Sequence, residues 1–372
     1  MAQTLDRLYS QLVSAAKVKR ELLSASFELT SRCNLQCKMC YVCQNANDRE
    51  GMAKELTTEQ WISLAQEAQD LGLLFLTLTG GEVFMRKDFR EIYQRLMMMG
   101  FILTIYTNGT LITPEIVNWL AAMPPYKVSI TLYGASGETY KEVTGFADGY
   151  ARTVRAIDSL LENKIPTDIK TTVVQGNKHD YDKLLDFAQQ RKLDLGVVNY
   201  VSPRREGTNT DPIGNRLTPQ ELLDYEVHIN ERNMELGLLK RKDFSSSKES
   251  PRFFESGLAG TRVSRETSEA FHCLAGKTAA WITADGRLLP CGLLDGVKAF
   301  PLSKGLAAAW EELKQECDGI SPCKECQGCL FQAYCEHCPA RLLKETGQYT
   351  KNAPYLCELA RKRKEAVNWD VI

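Results

Sequence analysis

Between residues 24 and 200, short β-branched or aromatic runs alternate with segments of helical period, and this alternation leaves few folds open. ASFELT (25–30), FLTLT (75–79), ILTIYT (102–107), KVSITLY (127–133), DIKTTVV (168–174) and DLGVVNY (194–200) read as strands. The segments between them carry helix signals. Thr58 is expected to cap EQWISLAQEAQDLG, Thr113 precedes Pro114 at a first helical position, and Gly72 and Gly100 stand where helices end. Strand followed by helix, about six times, implies right-handed crossovers and a parallel sheet. Six units are too few for the closed eight-stranded barrel. The expected fold class is therefore α/β, a partial (β/α)6 TIM-like barrel, with a doubly wound sheet as the alternative.

In parallel α/β sheets ligands bind beyond the carboxyl ends of the strands. The segments there are SRCNLQCKMCYVC (31–43) after the first strand, TGGE (79–82) after the second, NGT (108–110) after the third and YGAS (133–136) after the fourth. All four are expected on one rim.

The first of these holds four of the chain's 13 cysteines; the other nine lie between Cys273 and Cys357, and residues 44–272 hold none. The N-terminal stretch is amphipathic and charged, without an apolar signal core or small-residue cleavage site, so a cytoplasmic location is expected. In a reducing compartment clustered cysteines point to metal rather than to disulfides. A net charge of −1 gives no sign of nucleic acid as partner, and no apolar run reaches the roughly 20 residues that span a membrane. Cys33, Cys37 and Cys40 follow C-x3-C-x2-C. Three ligands leave one metal position open for catalysis or an external ligand, whereas Cys43 as a fourth would close it.

C-x3-C-x2-C directly after the first strand, with aromatic Tyr41 beside the last cysteine and GGE after the second strand, resembles the radical S-adenosylmethionine (SAM) superfamily. The resemblance covers roughly residues 25 to 205. It implies a [4Fe–4S] cluster on Cys33, Cys37 and Cys40, SAM chelated to its open iron, and a 5′-deoxyadenosyl radical that removes a substrate hydrogen. Gly80 and Gly81 are expected to let the backbone approach a ligand closely, with carbonyls near Glu82 accepting from the SAM ammonium. By the same resemblance Asn108, Ser129, Thr131 and Lys170 contact the SAM ribose or carboxylate, and Arg152 or Arg155 pairs with that carboxylate. The plain alternative for these side chains is polar barrel lining and a solvated helix face. SITLYGASGETYKEVTG with ENKIPTDIKTTVVQGN is similar to a peptide-modifying subgroup.

The second cysteine block runs Cys273, Gly286, Cys291, then Cys326, Cys329, Cys335 and Cys338 as C-x2-C-x5-C-x2-C, and Cys357. This order resembles the SPASM extension of radical SAM enzymes, which binds two auxiliary [4Fe–4S] clusters; the last pair has two intervening residues where the family usually has three. The resemblance implies Cys273, Cys291 and Cys338 on the first auxiliary cluster and Cys326, Cys329, Cys335 and Cys357 on the second. Seven ligands leave one iron open, or Cys323 or Cys317 closes the first cluster. A pair of zinc ribbons is the rival reading, and His272 and His337, which flank cysteines, are further candidate ligands or plain turn residues. The expected organisation is a helical segment (1–24), the barrel core (25–205), a bridge of helix and loops (206–270) and the cysteine-rich domain (271–372).

The expected activity is oxidative modification of a ribosomally made peptide or protein, as a thioether or carbon–carbon cross-link. Alternatives are formylglycine formation of the anaerobic sulfatase-maturase type, peptide epimerisation, and dehydrogenation of a small molecule. Epimerisation is disfavoured because no barrel strand after the first offers a cysteine as hydrogen donor. An electron-transfer protein without turnover is the non-enzymatic reading. The chemistry implies a flavodoxin- or ferredoxin-type reductant. The 24 residues before the first strand are too few for a leader-binding domain, so such a domain is expected, if at all, on a separate partner.

Overall fold

The computed structural model describes residues 2–42, 44–205, 212–238 and 269–367; Cys43 and most of the 206–270 bridge lie outside the described residues. Six strands run in parallel and in sequence order: β1 (Ser24–Glu28), β2 (Phe75–Thr79), β3 (Ile102–Thr107), β4 (Lys127–Thr131), β5 (Thr167–Thr172) and β6 (Leu195–Val198). A doubly wound sheet would reverse direction part-way across. This one does not, and it stays open, as expected of a partial barrel.

The strand sequences explain why the sheet has two unlike faces. Successive side chains point to opposite sides, and Phe27, Leu76, Leu78, Leu103, Ile105 and Ile130 all fall on one of them. There they form one core with Trp61 and Leu64 of α1 (Thr58–Asp70), Ile92 and Leu96 of α2 (Phe89–Met98) and Leu160 of α3 (Gly149–Glu162). The opposite face carries Ser26, Glu28, Thr77, Thr79, Tyr106, Ser129, Thr131 and Lys170, with Ser129 level with Asp168 and Thr131 level with Lys170. A polar face of this kind suits a ligand-lined interior.

Two details differ from the sequence-based expectation. The cap of α1 is Thr57, not Thr58: its side chain accepts from the Gln60 N–H while the Gln60 side chain accepts from the Thr57 N–H, a reciprocal arrangement that the T-T-E-Q run also allows one residue earlier. The sheet is also wider than six strands. β7 (Ala279–Ile282) pairs parallel with β1, and β8 (Leu288–Leu289) pairs antiparallel with β7, so the second cysteine block starts as part of the core sheet. AAWI is too short to announce a strand, and its pairing partner lies some 250 residues away. At the other end of the block, α5 (Pro354–Val367) is held to α4 (Pro219–Glu235) by the buried pair Arg363–Glu226, with Nε and Nη2 at 2.9 and 2.5 Å from the carboxylate.

Candidate metal centre

Beyond β1 the chain turns so that Arg32–Cys33 bridges in parallel to Gln44–Asn45, which closes the cysteine segment into a loop. The loop docks on the C-terminal end of the helix Gly137–Thr144. There the N–H groups of Gln36 and Lys38 donate to the Thr144 and Val143 carbonyls at 3.1 Å each, satisfying acceptors that a helix end leaves open. Cys33 and Cys37 are buried and Cys40 is half-buried, among Leu35, Met39, Val143, Val174 and Val201. Burial raises the Cys37 thiol well above its ordinary range, and the neighbouring Cys40 and Cys33 raise it further.

The GGE segment packs against this loop. The Gly81 N–H donates to the Thr30 carbonyl at 2.7 Å and the Glu82 N–H to the Arg32 carbonyl at 2.9 Å. A methyl group on Gly80 would fall on the Thr30 carbonyl oxygen and one on Gly81 on that of Arg32, far inside contact distance. The close approach that the glycines permit is thus to the cysteine loop's own backbone. Glu82 points inward and is buried; its carboxylate accepts from Thr107 Oγ1 at 2.8 and 2.9 Å, from the Asn108 N–H at 2.8 Å and from the Phe84 N–H at 3.2 Å. Burial outweighs these bonds and lifts its pKa to about 7. Asn108 Nδ2 in turn donates to Asn34 Oδ1 at 3.0 Å and lies 3.7 Å from Cys33 Sγ. Three rim segments are knitted together in this way, with the carboxylate of Glu82 and the amide of Asn108 engaged by the protein itself.

On the polar face Ser129 Oγ is buried without a hydrogen-bond partner. Thr131 is half-buried beside it in register, and Lys170 Nζ reaches Tyr106 OH at 2.7 Å and lies 4.0 Å from that ring's centre. Arg152 is exposed, with its guanidinium 5.1 Å from the ring of Phe146, a residue that packs against the cysteine loop; Arg155 is exposed as well. Tyr41 faces the second block: a side chain on Gly292 would come within 3.2 Å of its hydroxyl, and Cys40 and Cys291 both act on it electrostatically.

Sequence reasoning missed a group at the mouth of the interior. Glu28, at the end of β1, is buried and accepts from Arg205 NH1 and NH2 at 3.0 and 2.5 Å and from Trp281 Nε1 at 2.7 Å. A charged residue on the inward register of a strand was the available signal for Glu28. Trp281 had none, because its strand was not foreseen. Beside this group a cavity of about 460 Å³ opens between the cysteine loop, through Ser31, Val42 and Gln44, and the second block, through Arg287, Leu289 and Asp295.

The cysteines of the second block fall into two sets. Burial raises Cys273 to about 11 and Cys291 to about 12; Cys338 acts on both, and Cys273 acts on Cys291. Around Cys326 stand Cys323, with the two sulfurs 2.7 Å apart, then Cys335 and Cys357, and Cys329 acts on Cys357. Cys323 therefore stands with the second set, against the alternative in which it, rather than Cys317 or neither, closes the first; the three-residue step from Cys323 to Cys326 keeps the two thiols on one short turn. Cys317 is the thiol that neighbours the first set: it is buried against Gly276 and feels Cys273. His272 and His337 face each other edge to face, 5.9 Å between ring centres, on a small cleft also lined by Cys323 and Cys326.

Among the described residues no three such side chains stand close enough to hold a single metal ion, and the sets are defined by burial and mutual electrostatic influence. They nonetheless fit iron–sulfur ligation. Buried, mutually repelling thiols stay protonated without a metal, and a bound metal reverses this by deprotonating them. The orphaned Ser129 hydroxyl lines the same polar interior and needs a partner.

Residues 27–190, the segment that carries the cysteine loop and the other three rim motifs, match the radical SAM superfamily. That segment is a radical SAM domain. Such a domain implies a [4Fe–4S] cluster and SAM, and it marks the chain as an enzyme. The chain is similar to the AdoMet-dependent heme synthase of Methanosarcina barkeri, 29% identical over 357 residues, which cover 89% of this chain and 95% of that one. The PqqA peptide cyclase of Rhizobium meliloti is 28% identical over 176 residues, 46% of each chain. Among solved structures, SuiB of Streptococcus suis bound to its precursor peptide SuiA superposes with a TM-score of 0.68 at 18% identity, covering 96% of this chain and 81% of that one. The fold is thus shared over nearly the whole chain, cysteine-rich end included. Among the described residues no helix is long and apolar enough to cross a membrane.

Proposed function

We propose that this radical SAM enzyme oxidatively modifies a peptide or protein, forming a thioether or carbon–carbon cross-link, with two auxiliary clusters in the SPASM-like second block. The observation that carries this reading is the cavity of about 460 Å³ where core and second block meet. Its walls are mostly polar and charged, with Val42, Leu289 and Leu343 as the apolar exceptions, which suits a flexible polar chain better than a flat apolar ring. The peptide-modifying relatives support the same reading.

Cys33, Cys37 and Cys40 would hold the cluster that binds SAM, whose reductive cleavage supplies the hydrogen-abstracting radical. Ser129 and Thr131 would meet SAM's polar groups inside the barrel, with Lys170 on the same face, and Arg152 would pair with its carboxylate. Gly80, Gly81 and Glu82 hold the cysteine loop in place and leave backbone carbonyls on the rim for the ammonium. Tyr41 fills the space between the core loop and Cys291. Cys273, Cys291 and Cys338 would hold the first auxiliary cluster, with the fourth position open or taken by Cys317. Cys326, Cys329, Cys335 and Cys357 would hold the second, with Cys323 as a neighbouring fifth thiol. A flavodoxin- or ferredoxin-type protein is the expected reductant, and a leader-binding domain, where a peptide substrate needs one, would be a separate partner.

A second reading is a tetrapyrrole substrate, because the similarity to a heme synthase covers 89% of this chain and 95% of that relative. The test is made with anaerobically reconstituted enzyme, reductant and SAM, followed by mass spectrometry of a peptide encoded beside the gene after co-expression. Formation of 5′-deoxyadenosine and loss of two hydrogens from the peptide support the cross-link. A D-residue at unchanged mass means epimerisation, and turnover of an iron porphyrin in place of the peptide means the second reading.

A further inference from the structure

The cavity between the cysteine loop and the second block has an uneven charge. Arg204, Arg205, Arg287, Lys298 and Lys344 contribute cations, against the carboxylates of Glu28 and Asp295. Both carboxylates are already engaged: Glu28 holds Arg205, and Asp295 accepts from Lys344 Nζ through both oxygens, at 2.7 and 2.8 Å. Arg287 leans on Asp285 just outside the wall at 3.0 Å, and with that carboxylate counted the cations remain in excess among the described residues. Lys298 is exposed and forms no ion pair among the described residues. Arg204 is exposed on the same mouth.

We propose that this cavity is a subsite for carboxylate groups of the substrate, an assignment that rests on the oxidative, substrate-modifying reading above. Cations gathered in a recess concentrate anions more strongly than the same charges on an open surface. An arginine at such a mouth offers a planar fork that matches a carboxylate. The place also fits the chemistry. Ser31 lies two residues before Cys33, and Leu289 two residues before Cys291, so a carboxylate seated here lies between the core cysteine loop and the first auxiliary set. An acidic side chain of a peptide and a propionate of a tetrapyrrole carry the same group, and the subsite reads that group rather than its source.

The test uses the anaerobically reconstituted full chain and three probes: a fluorescein-labelled hexaglutamate peptide, iron coproporphyrin III and a labelled hexaglutamine peptide. The parent is expected to bind at least one acidic probe, to release it as salt is raised, and to bind hexaglutamine far more weakly. The double variant Lys298→Glu, Arg204→Glu is expected to bind that acidic probe about tenfold more weakly. Binding of the peptide alone assigns the carboxylate to a peptide, and binding of the porphyrin alone to a tetrapyrrole; either supports the subsite. Failure of the parent to bind either acidic probe overturns the proposal. So does equal binding of hexaglutamate and hexaglutamine, salt-independent binding, or a double variant with parental iron content and parental affinity. SAM cleavage by the parent is measured separately. Its absence would undermine the proposed function, whereas intact cleavage without probe binding removes the subsite alone.

Discussion

Single residues at this site act mainly on one another's position. Gly81 is there because the Arg32 carbonyl leaves no room for a side chain. Gly81→Ala is expected to cost about 1–3 kcal/mol through overpacking, read as a lower denaturation midpoint of the reconstituted protein together with reduced iron loading. Glu82 makes a separate prediction about pH. Its carboxyl titrates near 4.5 when unfolded and at about 7 in the fold, because burial dominates. Between those values the folded state binds more protons, so Glu82's contribution to stability declines as pH rises from about 4.5 to about 7 and is level above. Denaturant midpoints measured across this range are expected to flatten in Glu82→Gln relative to the parent; an unchanged slope would remove Glu82 as the cause. At Cys323 the second set has a thiol to spare, so Cys323→Ala is expected to keep its iron, whereas loss of about four irons per chain would make it an obligatory ligand.

Among the elements, α1 and β7 carry the clearest consequences. The reciprocal cap at Thr57 satisfies N–H groups that the first turn of α1 would otherwise leave open. Thr57→Ala is expected to lower stability by about 1 kcal/mol, seen in thermal denaturation, with SAM cleavage retained. β7 ties the second block to β1 by backbone pairing and through the bond from Trp281 to Glu28. Trp281→Phe keeps the aromatic bulk and removes the donor. The six core strands were legible because each is five or so residues of alternating character bounded by turns. β7 and β8 were not, since their existence depends on β1 offering an edge far away in sequence.

For the whole molecule, metal content separates the readings of the second block. About twelve irons with matching sulfide, four for each of three clusters, are expected per chain after anaerobic reconstitution. About four irons with two zincs would keep the radical SAM core and turn the second block into a structural domain. The joint sheet and the shared cavity would keep that block beside the proposed substrate space in either case.

Local spacing in the sequence determined the parallel α/β core, the rim beyond its strands, and the cysteines proposed to hold a cluster. C-x3-C-x2-C and the alternation of strand residues act over a few positions, where sequence distance and spatial distance agree. The tertiary structure decided what depends on segments far apart in the chain. It showed that Gly80 and Gly81 yield to the Thr30–Arg32 backbone, that Glu82 braces Thr107 and Asn108, and that Cys323 joins the second set. It also placed Glu28, Arg205 and Trp281 in one buried group. Each of these outcomes depends on burial and on partners brought together by packing, and neither burial nor a distant partner can be read from a residue's immediate neighbours.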